Sequence, residues 1–546
     1  MHELETLLRT QLSSGLKRKS LTTCSRWATS CRVMGPPFPG PWTFEHHPWT
    51  REMHDCTEEL VVGQKAAQMG FTEWALNIAF YHIDVRGESV LYILPASTPD
   101  ASDFSSGRFD PALELSPHLQ NLFSNVKNVG HKRAGSASLY IRGSRSKSQL
   151  RSIPAPIIIF DEVDVMDQAN IVLAFERSSG QLEHQHLMLS TPTIANKGIN
   201  KYYKDSSQDH YMFRCPLCSK LTELIFPDCL EITAEEVSDP KIRKSFIKCK
   251  DCGGRLEHEA KTSFLSKGQW VSKHTDRLSR GFHVNQLYST TVRPYELASL
   301  YLASSTNPAA EQEFYNSKLG IPHEVAGARV TDAQFEKCIS THKKQDVSPP
   351  DSLITMGVDV GTWLHYEITQ YITNRKGVDI HDMSRARVIT EGKVLNFEEL
   401  DGLMRQYRVR FCVVDANPEK RKAIEFAKRF YGHVRLCFYG NSSNGKQIHV
   451  HDEDQHTITV DRTSWMDVAL GRYRENQIAL PMDVSLEYRD HIKAPVRVYR
   501  IDSTGNPVAS YDSSDDDHFG HARTYNEIAL SLAASISRTQ NITTGI

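Results

Sequence analysis

Two adjacent carboxylates, Asp161 and Glu162, end the apolar run Ile157-Ile158-Ile159-Phe160. In a nucleotide hydrolase such a pair divides the work: the first acid holds the water shell of a Mg²⁺ and the second polarises the attacking water. A buried strand running into an acidic, solvated turn has the same pattern, so the pair needs a phosphate loop upstream. Glu59 to Val62 reads as a short strand, Gly63 to Thr72 as a glycine-bearing loop, and Glu73 to about Tyr81 as a helix. Strand, loop and helix N-terminus is the geometry that cradles phosphates with backbone N–H groups. The loop departs from a standard Walker A, because Phe71 stands between Gly70 and Thr72 where lysine is expected, and the lysine present, Lys65, sits early. From that rim Lys65 can still reach the β- and γ-phosphates while Thr72 offers its hydroxyl to Mg²⁺. Ser190-Thr191-Pro192-Thr193 closes a later apolar run; it is either an ordinary strand-ending turn or the element that senses the γ-phosphate.

Cys215-Pro216-Leu217-Cys218 and Cys249-Lys250-Asp251-Cys252, the latter followed by Gly253-Gly254, have the two-knuckle spacing of a zinc ribbon. Four thiolates make a closed tetrahedral site, so a bound Zn²⁺ would be structural, and Cys229 between the pairs is not expected to join it. In the carboxyl-terminal half, Asp359 follows Ile354-Thr355-Met356-Gly357-Val358, and Asp415 ends Phe411-Cys412-Val413-Val414. Asp515-Asp516-Asp517-His518 then opens a helical segment running through Tyr525 to Ala533. Carboxylates from two strands and a later helix are the framework of a nuclease that holds two divalent ions about 3.5 to 4 Å apart. That oxygen-rich environment suits Mg²⁺ and is tolerated by Mn²⁺.

These residues need elements to hold them. With 546 residues the chain exceeds one core and reads as two or three domains. The runs Ser89 to Leu94, Ile157 to Phe160 and Leu187 to Ser190 are consistent with parallel strands of an α/β sheet. We expect a flexible arm at 1–45, beginning with Arg18, Lys19, Arg26 and Arg32, an ATPase over 46–210, a zinc-ribbon insert at 211–260 and a closing segment at 261–339. A polar linker at 340–352 would lead to an RNase H-like nuclease at 353–546. Lys+Arg (64) and Asp+Glu (66) nearly balance, so any DNA contact must be local. The acid-free stretch from Lys127 to Arg151 is the candidate patch, or else a solvated basic loop. No apolar run approaches the roughly 20 residues needed to span a bilayer. Eleven cysteines, four of them in Cys-x-x-Cys pairs, argue for metal in a reducing compartment. The expectation is a soluble intracellular protein.

Lys65-x4-Gly70-Phe71-Thr72-Glu73, Phe104 to Arg108, Leu150-Arg151-Ser152, the Asp161 to Asp164 run and Ser190-Thr191-Pro192 together resemble the ATPase of lambda-like phage terminase large subunits. That family's phosphate loop carries its lysine early in the same manner. The resemblance extends over roughly residues 45 to 540. It implies an ASCE-type P-loop ATPase with a parallel sheet, Trp49 against adenine or else serving as an N-terminal hydrophobic anchor, Ser190 and Thr191 at the γ-phosphate, and Arg108 or Arg151 stabilising its charge. It assigns Asp359, Asp415 and Asp517 to the nuclease, leaves Asp516 as a competing third ligand, and puts His521 where many relatives carry an acid. Asp461 and Glu367 are candidates for a supporting role. The function implied is ATP-driven packaging of double-stranded DNA into a procapsid and cutting of concatemers, in the host cytoplasm. Its partners would be the portal protein, a small terminase subunit and further copies of the chain in a ring. The alternatives are a cellular helicase or repair ATPase without nuclease activity, and an inactive zinc-ribbon scaffold.

Overall fold

The structure is a computed structural model; it describes residues 23–123, 126–151, 153–305, 307–347, 352–373, 381, 384–440, 445–452, 456–501 and 506–543. The chain forms two compact units, Met1–His323 and Glu324–Ile546.

The first unit is built on seven parallel strands. In chain order these are β1 (Leu60–Lys65), β2 (Val90–Leu94), β3 (Ala137–Gly143), β4 (Ile157–Asp161), β5 (Gln185–Ser190), β6 (Asp209–Arg214) and β7 (Arg280–Val284). They lie in the order β6-β7-β1-β5-β4-β2-β3. Both faces are covered, which explains why the strands read as continuous apolar runs rather than alternating ones. Ile157 and Ile159 of β4 enter one core, while Ile158 and Phe160 enter another on the opposite face. One strand, β5, separates the loop-bearing β1 from the acidic β4. Gln64 of β1 pairs with Ser190, and Asp161 pairs with Leu189, so the three chemically loaded strand ends finish level.

Residues 1–22 of the expected arm, Arg18 and Lys19 among them, lie outside the described residues. From Thr23 onward the chain is no arm. Helix Cys24–Cys31 buries Trp27 completely, and the indole Nε1 donates to Asp84 Oδ2 at 2.8 Å. Arg32 is buried, with Nε donating to Asn77 Oδ1 at 3.0 Å. The basic, Pro-rich composition concealed an amphipathic helix that closes one face of the ATPase core.

The second unit centres on β8 (Leu353–Val360), flanked by antiparallel β9 (Leu364–Thr373) and β10 (Ser384–Val394) on one side. On the other side run β11 (Phe411–Asp415), β12 (Val434–Tyr439) and β13 (Thr457–Val460), each parallel to the last. Three antiparallel strands joined to parallel ones, with a long helix across the centre, make an RNase H-like sheet. Chain division falls earlier than the polar stretch at 340–352 suggested. Val330, Phe335 and Cys338 are buried in the core of the second unit, where their apolar surface found cover. Residues 348–351 lie outside the described residues.

Candidate functional sites

Helix α1 (Phe71–Tyr81) follows β1 through the loop Ala66 to Gly70. Gly70 has φ +82°, a left-handed conformation that a residue without Cβ adopts at little cost, and no side chain caps the helix behind it. Its first-turn N–H groups are thus left for an anionic ligand. Lys65 is buried at the end of β1 with Nζ 2.9 Å from Glu162 Oε1. Burial works against its charge, but Glu162 and Asp161 outweigh that and raise its pKa above the ordinary value.

Asp161 lies buried beside it. Its Oδ2 accepts Tyr92 Oη–H at 2.8 Å and Thr72 Oγ1–H at 3.3 Å, while Oδ1 is buried with no protein partner. Burial first, and the charge of Glu162 second, push the Asp161 carboxyl up to about 6. An orphaned carboxylate oxygen next to a threonine hydroxyl, both at the mouth of a phosphate loop, fits a hard divalent cation. Glu162 has φ +67°, a strained conformation for a non-glycine residue, and the turn it makes directs its carboxylate back over the loop. Ser190 Oγ is 3.5 Å from Glu162 Oε2 and accepts the Asp164 N–H at 3.2 Å.

Asp164, the last acid of the run that begins at Asp161, has a structural role of its own. Its buried carboxylate accepts Thr193 N–H at 2.7 Å, Thr193 Oγ1–H at 2.9 Å and Ile199 N–H at 2.7 Å. The Ser-Thr-Pro-Thr turn is therefore tied to the residues after Glu162, and Thr191 stands within this tied turn. Trp49 departs from expectation. It is fully buried, its Nε1 donates to Met69 O at 3.0 Å, and its ring meets His47, Tyr211 and Tyr288 edge-on. Both ring faces are enclosed by protein, so Trp49 braces the phosphate loop from beneath and offers no face to adenine. Arg108 and Arg151 are exposed, and neither bonds to Lys65, Asp161 or Glu162. The basic stretch is likewise divided: Lys132 is buried in an ion pair with Asp110 at 2.8 Å, while Arg133, Arg145 and Lys147 face solvent.

Strand β6 runs into the first knuckle, which returns through Leu221–Thr222; the second is bounded by Phe246–Lys248 and Arg255–Leu256. Both turn alike. Cys215 N–H donates to Lys220 O and Cys249 N–H to Gly254 O, each at 2.9 Å. The equivalent left-handed positions are Ser219 (φ +62°) and Gly253 (φ +69°). One ligand atom from each of Cys215, Cys218, Cys249 and Cys252 lies within 4.8 Å of the others. Zinc–sulfur bonds of about 2.3 Å set tetrahedral sulfur separations of about 3.8 Å, so the donor set fits this metal. Cys229 is buried apart from that group.

In the second unit Val358 pairs with Val414, so Asp359 and Asp415 end neighbouring parallel strands on one rung. Across β8 the rung continues to His365, which pairs directly with Asp359. The helix α2 (His518–Thr543) brings its N-terminus over this rung: His518 Nδ1 is 2.8 Å from Asp359 Oδ2. Its close approach depends on Gly357, where a Cβ would stand 2.0 Å from Ala522 O. Burial, and then the charge of Asp359, push Asp415 up to about 6. His521 N–H donates to Asp517 O at 3.2 Å, and the imidazole Nε2 is 3.6 Å from Asp517 Oδ2. Asp516 is exposed.

The three acids do not share one tight cluster. Ligand atoms within 4.8 Å of one another come from Asp359, His365 and His518, a group that omits Asp415 and Asp517. The histidines escaped the sequence reading because cross-strand register, not spacing along the chain, brings them together. Glu367 is fully buried and accepts Tyr488 Oη–H at 2.6 Å and Asn526 Nδ2–H at 2.8 Å beside Arg523. Asp461 caps helix Arg462–Arg474 by accepting Ser464 N–H at 2.7 Å.

Comparison with known proteins matches residues 37–270 to the model for the phage terminase large subunit gpA, ATPase domain, and residues 279–501 to the terminase large subunit gpA, endonuclease domain. The chain belongs to the phage terminase large-subunit family. As a member it has an ATPase domain and an endonuclease domain, uses ATP and divalent metal, and works with DNA and the packaging machinery. Nothing supports the helicase or scaffold alternatives. No curated protein matches the chain. Among solved structures it is similar to the large terminase of bacteriophage HK97, at 11% identity over 94% of this chain and 99% of that one (TM-score 0.46). The ATPase domain of the Thermus phage P74-26 large terminase is similar at 14% identity over 51% of this chain and 96% of that one (TM-score 0.31). The large terminase nuclease from thermophilic phage G20c matches at 12% identity over 37% of this chain and 98% of that one (TM-score 0.25). Among the described residues of this terminase no helix is long and apolar enough to cross a membrane.

Proposed function

We propose that Lys65, Gly70, Phe71, Thr72, Asp161 and Glu162 form the ATP-hydrolysing site, with Asp164 linking it to the Ser190–Thr193 turn. The observation that carries this is the 2.9 Å contact between Lys65 and Glu162 across the strand ends. In this arrangement the lysine occupies the carboxylate that would activate water. When phosphate draws Lys65 away, Glu162 is released as the general base, and hydrolysis awaits a properly seated γ-phosphate. Asp161 and Thr72 would hold a Mg²⁺, which would supply charge neutralisation at the phosphate oxygens. Ser190 senses the state of Glu162, and Asp164 passes that state to Thr193 and, through Ile199 N–H, to the helix that begins at Gly198. Arg108 and Arg151, both exposed, are the groups a neighbouring copy in a ring can present to the γ-phosphate.

In the second unit, Asp359, Asp415 and Asp517 form the nuclease site, with Asp517 favoured over the solvent-facing Asp516 by its approach to His521. These residues would hold divalent metal, which would supply activation of water and stabilisation of the leaving oxygen. A single Zn²⁺ on Cys215, Cys218, Cys249 and Cys252 stabilises the insert. The assembled enzyme drives double-stranded viral DNA through a portal into a procapsid, cuts concatemers and takes DNA from a small terminase subunit, all in the host cytoplasm.

Glu162→Gln and Asp359→Asn test this division. The first is expected to lower ATP turnover by at least about 10²-fold while leaving metal-dependent plasmid cleavage intact, and the second to do the reverse. Equal loss of both activities in either variant, with the fold retained, would overturn the assignment.

A further inference from the structure

The nuclease rung differs from an all-carboxylate metal site in holding imidazoles at its centre. His365 is directly opposite Asp359 across the antiparallel pair and is 4% exposed. Its Nδ1 is buried with no protein partner, and its Nε2 is 3.7 Å from Glu487 Oε1, itself held by Lys393 at 2.7 Å. His518 stacks on it with ring centroids 4.5 Å apart and planes 7° from parallel. The Nδ1 of His518 is 2.8 Å from Asp359 Oδ2, and one ligand atom from each of the three residues lies within 4.8 Å of the others. Bonds of about 2.1 Å to a shared ion require ligand separations of about 3 to 4 Å, a range that lies inside the 4.8 Å spread of these atoms. One nitrogen of His365 is thus buried with nothing in the protein to bond, as an unoccupied ligating imidazole would be, and the other lies on the side of Glu487.

We propose that Asp359, His365 and His518 bind one divalent transition ion, of the Mn²⁺, Co²⁺ or Zn²⁺ class, in preference to Mg²⁺. This rests on the nuclease reading above and specifies which metal the site takes. Mg²⁺ favours an octahedron of oxygens and gives up water reluctantly, whereas imidazole nitrogen suits the first-row transition ions. Two nitrogens and one carboxylate leave coordination positions open for water and a phosphate oxygen. His365 and His518 act as ligands alongside Asp359.

The test uses the full chain and Mn²⁺ as probe. Pulsed electron paramagnetic resonance of bound Mn²⁺ is expected to show modulation from directly coordinated ¹⁴N, absent from the His365→Gln/His518→Gln double variant. Equilibrium dialysis is expected to give Mn²⁺ at least about tenfold tighter binding than Mg²⁺ at this site, a preference the double variant loses. Mn²⁺ bound without nitrogen modulation in the unaltered chain overturns the inference while leaving the nuclease reading in place, and that measurement requires no variant to fold. Absence of both bound Mn²⁺ and metal-dependent cleavage overturns the two together.

Discussion

Gly357→Ala is the substitution whose cost can be worked most directly from the structure. Gly357 lies on β8 two residues before Asp359 and on the same face of the sheet, where α2 crosses it. An added Cβ would stand 2.0 Å from Ala522 O and 2.4 Å from Asn526 N, both of them helix backbone. Ordinary contact begins near 3.4 Å, so the helix must retreat by about 1.4 Å, since no side chain is available to swing aside. Overpacking of this kind costs about 1–3 kcal/mol, and a backbone obstacle puts this site near about 3 kcal/mol. For a unit of this size that corresponds to a fall in Tm of roughly 6–12 °C. The same helix carries His518 and His521 and follows directly on Asp517, so a displacement of about 1 Å is expected to reduce cleavage by about 10²-fold. ATP turnover, which depends on Lys65 and Glu162 in the other compact unit, is expected to stay within about twofold of the parent. Differential scanning calorimetry, a plasmid-nicking assay in Mn²⁺ and a coupled ATPase assay read the three quantities. A variant that melts with the parent and cleaves at the parental rate would refute the close-packing argument.

Cys249→Ser is expected to release the metal of the insert, which supplies about 10–16 kcal/mol of folding free energy in comparable small sites; elemental analysis should fall from one zinc per chain to none, and a metal-free parent would refute the ribbon. Trp49→Phe keeps an aromatic ring but removes the bond to Met69 O; we expect a loss of about 1 kcal/mol in stability with ATP affinity within about threefold, whereas a large loss of affinity alone would restore the adenine role. Asp164 gives a pH dependence with a defined sign. Its folded value, pushed by burial to about 6, exceeds the 3.8 of an ordinary aspartate, so the folded chain takes up a proton before the unfolded chain does. That term favours the folded state as pH falls from about 6 towards 4, yet it removes the negative charge that holds Thr193 and Ile199. ATPase activity is expected to fall below about pH 6 while the Tm of the first unit does not fall with it through this group; a profile level to pH 5 would count against the latch.

The motifs that point to the family and its two domains were legible in the sequence. Strand ends with acids, a glycine loop with an early lysine and Cys-x-x-Cys knuckles are short-range patterns, set by strand geometry and by metal-ligand spacing. They were sufficient to anticipate a parallel ATPase sheet and an RNase H-like second domain. Relations across the sheets were not legible. Trp49 looked like a base-stacking ring until the structure enclosed both its faces, and the basic start looked like an arm until Trp27 was seen buried against Asp84. His365 lies six residues after Asp359 and His518 more than a hundred further on, so nothing in their spacing announces a shared site. Antiparallel register sets the first beside the aspartate, and the absence of a Cβ at Gly357 lets the helix deliver the second. Composition and periodicity report what each segment buries, but pairing register and helix approach are decided only when distant segments compete for the same surface.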